Sequence, residues 1–146
     1  MTNIAQFMAT RCWMPGTVLM IPSEVPPFSH FAMVEFIDFH TGVEWAIHNM
    51  PGIGVARAPL YDMIGSKPVV VGWKSRTPEE GEDAVLRMQG LIGHPYDLIN
   101  ANCEHVIRWA VTGEWRSDQV SAATVGLLVV GAVAITATLT RSLRSR

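Results

Sequence analysis

Apolar residues fall in short extended runs over the first half of the chain and at helical spacing over the second. After the turn Met14-Pro15-Gly16, Thr17 to Ile21 gathers β-branched and aliphatic side chains, a strand signal. Pro22, Pro26 and Pro27 stop that strand, so Ser23 to Ser29 reads as a loop. From His30 to Phe39 both alternating sets are largely apolar, with Phe31, Met33 and Ile37 on one side and Ala32, Val34 and Phe36 on the other. That is the pattern of an interior strand, with Glu35 and Asp38 expected near its wetter end. His40-Thr41-Gly42 turns the chain into a strand from Val43 to Asn49, which Met50-Pro51-Gly52-Ile53-Gly54 ends. Val55 to Leu60 and Pro68 to Trp73 predict two further strands on either side of a Gly65-Ser66 turn. Short links favour antiparallel neighbours.

The period then changes. Thr77-Pro78-Glu79-Glu80 presents a Thr cap, Pro at the first helical position and Glu three residues past the cap. Ala84, Val85, Met88, Leu91 and Ile92 recur at helical spacing, so this helix packs one face on the sheet, slightly weakened by Gly81. Gly93-His94-Pro95 stops it. A second stripe, Val106, Ile107, Ala110 and Val111, follows Asn102, a preferred N-cap, and closes at Thr112-Gly113.

Val120 to Thr140 contains no charged residue and is followed by Arg141, Arg144 and Arg146. As a helix it spans roughly 31 Å, the thickness of a hydrocarbon core, and apolar residues on every side predict a transmembrane helix. Ala122 and Gly126 form a small-x-x-x-small pair that offers helix–helix self-association through this anchor. A buried helix of a soluble domain is the alternative. The expected division is an N-terminal lead (1–14), one domain (15–119), the anchor (120–140) and a basic tail (141–146), with the domain on the cytosolic side of a membrane.

With 146 residues the chain accommodates one core. A net charge of −2, and no Lys/Arg run interleaved with aromatics, argue against a nucleic-acid partner. The two cysteines, Cys12 and Cys103, are far apart and form no C-x-x-C pair, so free thiols are expected rather than a disulfide framework. No metal-ligand cluster stands out, and no cofactor is implied.

Asn102 places Cys103 in the first helical turn, where partial positive charge and free N–H groups stabilise a thiolate and an oxyanion. A small core residue is the competing reading for a lone helical Cys. His105, two residues along the same helix, points to another face and reads as structural. His94 and His40 fall in a loop and a turn. His30 opens an interior strand and His48 lies on the next, and antiparallel neighbours stand about 5 Å apart. This spacing permits a nucleophile, a base and an orienting group without requiring them.

Asn102-Cys103-Glu104-His105 resembles the N-C-E-H box of the lecithin retinol acyltransferase-like thiol enzymes, with Val106 where phenylalanine is usual. Tyr96 and Leu98 stand before the cysteine as in the phospholipase A/acyltransferase branch. Gly113 with Arg116-Ser117-Asp118-Gln119-Val120 is similar to that branch's G-x-x-R-S-D-Q-V. His30-Phe31-Ala32-Met33-Val34 looks like its H-W-A-I-Y segment, Ile47-His48-Asn49-Met50-Pro51 stands at its second histidine, and Pro15-Gly16 matches its domain start. The resemblance implies an α+β fold, a circularly permuted papain-like domain with an antiparallel sheet packed with helices, plus one C-terminal transmembrane helix. By carry-over Cys103 is the nucleophile, His30 the base and His48 its orienting partner.

The implied activity is that of a thiol phospholipase A/acyltransferase. Its partners are a phospholipid membrane and an acyl-lipid substrate, with the acyl group passing through a Cys103 thioester to water or to an amine or lysolipid. The chain departs from the pattern at Glu35, in the turn from Asp38 to Gly42 and in a shorter segment from Gly52 to Lys74, which bear on substrate choice. Two alternatives stand beside this: a thiol amidase or peptidase on the same fold, and a catalytically silent membrane-bound interaction module.

Overall fold

The apolar runs of the first half pair into one five-stranded antiparallel sheet: β1 (Val18–Pro22), β2 (Ser29–Asp38), β3 (Val43–Met50), β4 (Gly54–Pro59) and β5 (Val70–Trp73). A computed structural model of the chain describes residues 13–22, 29–118 and 120–125. The order across the sheet is β4-β3-β2-β1-β5. Hairpin links set β1 to β4 side by side as the sequence predicts. β5 instead crosses to the far edge and pairs with β1, through Val18↔Trp73 and Leu19↔Val71. The crossover is made by a short helix, α1 (Leu60–Ile64), where the sequence was read as the end of a strand and a turn. Leu60 and Ile64 are each 1 % exposed: this turn is needed to cover the sheet, which local propensity does not report.

The sheet has two apolar faces. Val18, Met33, Ile47 and Val55 look to one side, where they meet Ala84, Val85 and Met88 of α2 (Pro78–Gln89) and Val106, Ile107 and Ala110 of α3 (Cys103–Thr112). Leu19, Ile21, Ala32, Val34 and Ala46 look to the other, under Leu60 and Ile64. Burial on both faces explains why β2 lacks a polar alternation. Ile92, expected on the packed face of its helix, is 44 % exposed, because α2 ends at Gln89.

Glu35 is where strand pattern and structure part. It is the extra residue of a bulge between the pairs Val34↔Ala46 and Phe36↔Trp45, and it is 3 % exposed, not at a wet strand end. Alternation from Met33 puts its carboxylate on the helical face, where Arg57 of β4 pairs with it and Gln89 Nε2 donates to Oε1 at 2.7 Å. A buried carboxylate is tolerable only with such partners. Gly81 likewise has a role beyond propensity. A Cβ there would lie 2.6 Å from the Pro15 carbonyl oxygen, so glycine lets α2 touch the chain that enters β1.

The expected fold class is corrected in one respect. The α+β antiparallel sheet with helices is present, but among the described residues no helix is long and apolar enough to cross a membrane. Of the segment 120–140, residues 120–125 are described and are helical, while 126–140 lie outside the described residues. The chain divides into two units, Met1–Arg116, which holds the sheet, and Ser117–Arg146. In the second, the Ser117 hydroxyl accepts from the Val120 N–H at 3.2 Å, as an N-cap does. Cys12 also lies outside the described residues.

Candidate active site

Asn102 caps α3. Its side-chain oxygen accepts from the N–H groups of Glu104 at 3.0 Å and His105 at 3.1 Å, and its amide nitrogen donates to the Leu98 carbonyl at 3.1 Å. His105 closes the motif, its Nδ1 accepting from the Asn102 N–H at 3.4 Å. The neighbouring imidazole is thus part of the helix start, as its position two residues from Cys103 implied. Opposite the cap, Asn49 of β3 is fully buried, and its Nδ2 donates to the Ala101 carbonyl at 2.6 Å. Nothing in the sequence marks this clamp between β3 and the residue before the cap, because Asn49 reads there only as a strand end.

The ladder between β2 and β3 stops at Ala32↔His48. Beyond it the backbone of residues 29–31 faces the start of α3. The Cys103 thiol donates to the Ser29 carbonyl at 3.5 Å, and the Phe31 N–H is close enough to favour a thiolate. These two groups flank residue 30, so the sulfur stands level with His30 along the strand. Cys103 is 9 % exposed. Burial pushes its thiol above the ordinary value, although the Phe31 and Glu104 amides pull the other way. The expectation that the helix start lowers the thiol is therefore reversed: desolvation outweighs the helix N-terminus.

His30 and His48 come together across the hairpin. His30 Nε2 and His48 Nδ1 are 3.0 Å apart, with ring centroids separated by 5.2 Å at an edge-on angle of 78°. By alternation His30 follows Ala32 and Val34, and His48 follows Ala46, so both rings belong to the face opposite α3. Thiol and imidazoles reach the same end of β2 from its two sides, and the thiol's hydrogen bond is to the backbone, not to a ring nitrogen. Burial, then the neighbouring His48 and Lys67, lower His30 to about 4, and burial lowers His48. Near neutral pH the site holds a thiol and two uncharged imidazoles.

The histidine pair opens into a cavity of about 690 Å³ whose wall also carries Asp62 and Lys67. Cys103 does not line it. Among the described residues no group of three or more His, Cys, Asp or Glu side chains is gathered to hold a metal ion. His40 is exposed in its turn, and His94 turns Nδ1 to the Pro95 carbonyl at 3.0 Å, far in role from the pair. No protein-family profile matches the chain, and no curated protein matches it.

Proposed function

We propose that the chain is a thiol phospholipase A/acyltransferase that acts on glycerophospholipid acyl esters at a bilayer surface. The observation that carries this is the 3.0 Å His30–His48 pair beside a thiol that touches the backbone flanking His30. With Nε2 of His30 engaged by His48, the nitrogen left for a substrate proton is Nδ1, the one nearer its own backbone. That assignment requires His30 to donate Nε2–H to an unprotonated His48 Nδ1.

The proposed reaction begins with the Cys103 side chain leaving the Ser29 carbonyl by rotation about Cα–Cβ and rounding the end of β2, which brings the thiol hydrogen to His30 Nδ1. The sulfur then forms a bond to the ester carbonyl carbon as the proton passes to Nδ1. Collapse breaks the carbon–oxygen bond, and the imidazolium returns the proton to the leaving alkoxide, giving a lysophospholipid and an acyl thioester. Water, an amine or a lysolipid hydroxyl then attacks the thioester, losing its proton to His30, and the thiolate leaves and is reprotonated. The Phe31 N–H that faces the sulfur is a donor beside the developing oxyanion. Its low pKa keeps His30 unprotonated over the whole physiological range but makes it a weak base, so in the proposed route the thiol gives up its proton only as the sulfur bonds to the carbonyl carbon.

A second reading draws support from the buried, protonated thiol: a catalytically silent interaction module in which Cys103 only packs. Mass spectrometry of the intact chain after incubation with phosphatidylcholine vesicles separates the two. The enzyme reading expects a mass increase of one acyl group on the wild-type chain and none on Cys103→Ser. A folded wild-type chain that yields neither adduct nor lysolipid rejects it.

A further inference from the structure

The 690 Å³ cavity beside the imidazoles falls within the range of about 300–1,000 Å³ that holds small ligands. Its wall is apolar along Met50, Ile53 and Met63, and it carries one cation and one anion, Lys67 and Asp62. Both charged residues are exposed, and neither is engaged in an ion pair with a described residue. Two unpaired opposite charges on one apolar-walled cavity complement a ligand that is itself an inner salt with a short apolar stem. A bare phosphate would meet Asp62 as a like charge, and an uncharged ester would leave both side chains without a counter-charge.

We infer that this cavity is the headgroup subsite for a zwitterionic phospholipid, with Lys67 holding the phosphate, Asp62 the ammonium group, and Met50, Ile53 and Met63 the stem that leads to the acyl ester. The inference rests on the phospholipid reading above for the substrate class. It adds what selects the headgroup and from which side the lipid enters: over the His30–His48 pair, with the ester carried round the Ser29 end of β2, where Cys103 meets the backbone from the other side.

The test uses the full chain carrying Cys103→Ala, so that binding is read without turnover, and three monomeric probes: hexylphosphocholine, hexyl phosphate and hexyl glucoside. Ring signals of His30 and His48 are followed by nitrogen-15 NMR during titration. Hexylphosphocholine is expected to move both rings. Lys67→Met weakens it about tenfold, the scale of one charge-assisted contact. Asp62→Asn weakens hexylphosphocholine but not hexyl phosphate, and neither substitution changes binding of hexyl glucoside. The subsite is overturned if hexylphosphocholine moves neither ring, if hexyl glucoside binds as well, or if Lys67→Met leaves affinity unchanged. Charge-dependent binding without an acyl adduct on the wild-type chain rejects the proposed reaction and leaves the subsite standing. An adduct without charge-dependent binding does the reverse.

Discussion

Acidification should destabilise this protein through His30 before its carboxylates titrate. The ordinary histidine value is 6.5, and burial, His48 and Lys67 lower His30 to about 4 in the folded chain. Between those values the unfolded chain binds a proton that the folded chain refuses. The stabilisation is therefore complete above 6.5 and is lost as pH falls through that window toward the folded value. Worked from the two values, the loss is about 2 kcal/mol by pH 5 and roughly 3 kcal/mol by pH 4. His48, also lowered by burial, adds in the same direction.

The assay is urea unfolding followed by tryptophan fluorescence at pH 7.5, 6 and 5, on the wild type and on His30→Gln. Whatever the substitution costs at pH 7.5, the fall in stability from pH 7.5 to 5 should shrink by about 2 kcal/mol in the variant. The same protonation sets the acid limb of kcat/KM, expected near pH 4 rather than 6.5, because only uncharged His30 takes the thiol proton. If His30→Gln retains the full wild-type pH dependence, His30 is not a buried neutral imidazole, and the assignment of the base goes with it.

Two further outcomes test the scaffold. Gly81→Ala should cost about 1–2 kcal/mol in urea unfolding despite its better helix propensity, because the new methyl meets the Pro15 carbonyl at 2.6 Å. Gly90→Ala, whose Cβ would have ordinary contacts at 3.4 and 3.7 Å, should be neutral or slightly stabilising, and equal losses at both sites would refute the close-approach explanation. Asn102→Ala removes the cap of Glu104 and His105 and a buried donor to Leu98, for a loss of about 2 kcal/mol in thermal or urea unfolding. It should also speed Cys103 alkylation by iodoacetamide as the helix start frays, and an unchanged alkylation rate would count against the cap as what positions the thiol.

Much of the framework was legible because its signals are local. The interior strand from His30, the Thr77 and Asn102 caps and the stripes of α2 and α3 follow from period and capping chemistry within a few residues. The His30–His48 pairing was legible as a possibility because the two lie on neighbouring strands, although the register sets His48 opposite Ala32 and His30 meets it diagonally, two residues beyond the last pair. The signals that failed were those that need a neighbour distant in sequence. Glu35 looked like a wet strand end because nothing near it shows that Arg57 and Gln89 will converge on it. Gly81 looked like a helix defect because Pro15 is far back in the chain.

By itself, then, the sequence determined the antiparallel hairpins, both capped helices, and the identity of the three candidate reactive groups, Cys103, His30 and His48. Propensity, turn chemistry and alternation act along the chain and can be read there. Tertiary structure alone decided that β5 crosses to the edge beside β1, and that Asn49 clamps the entry to α3. It also decided that the thiol stays protonated and that the histidines share a cavity with Lys67 and Asp62. Desolvation and cavity walls are sums over residues brought together from across the chain, so no window of sequence contains them.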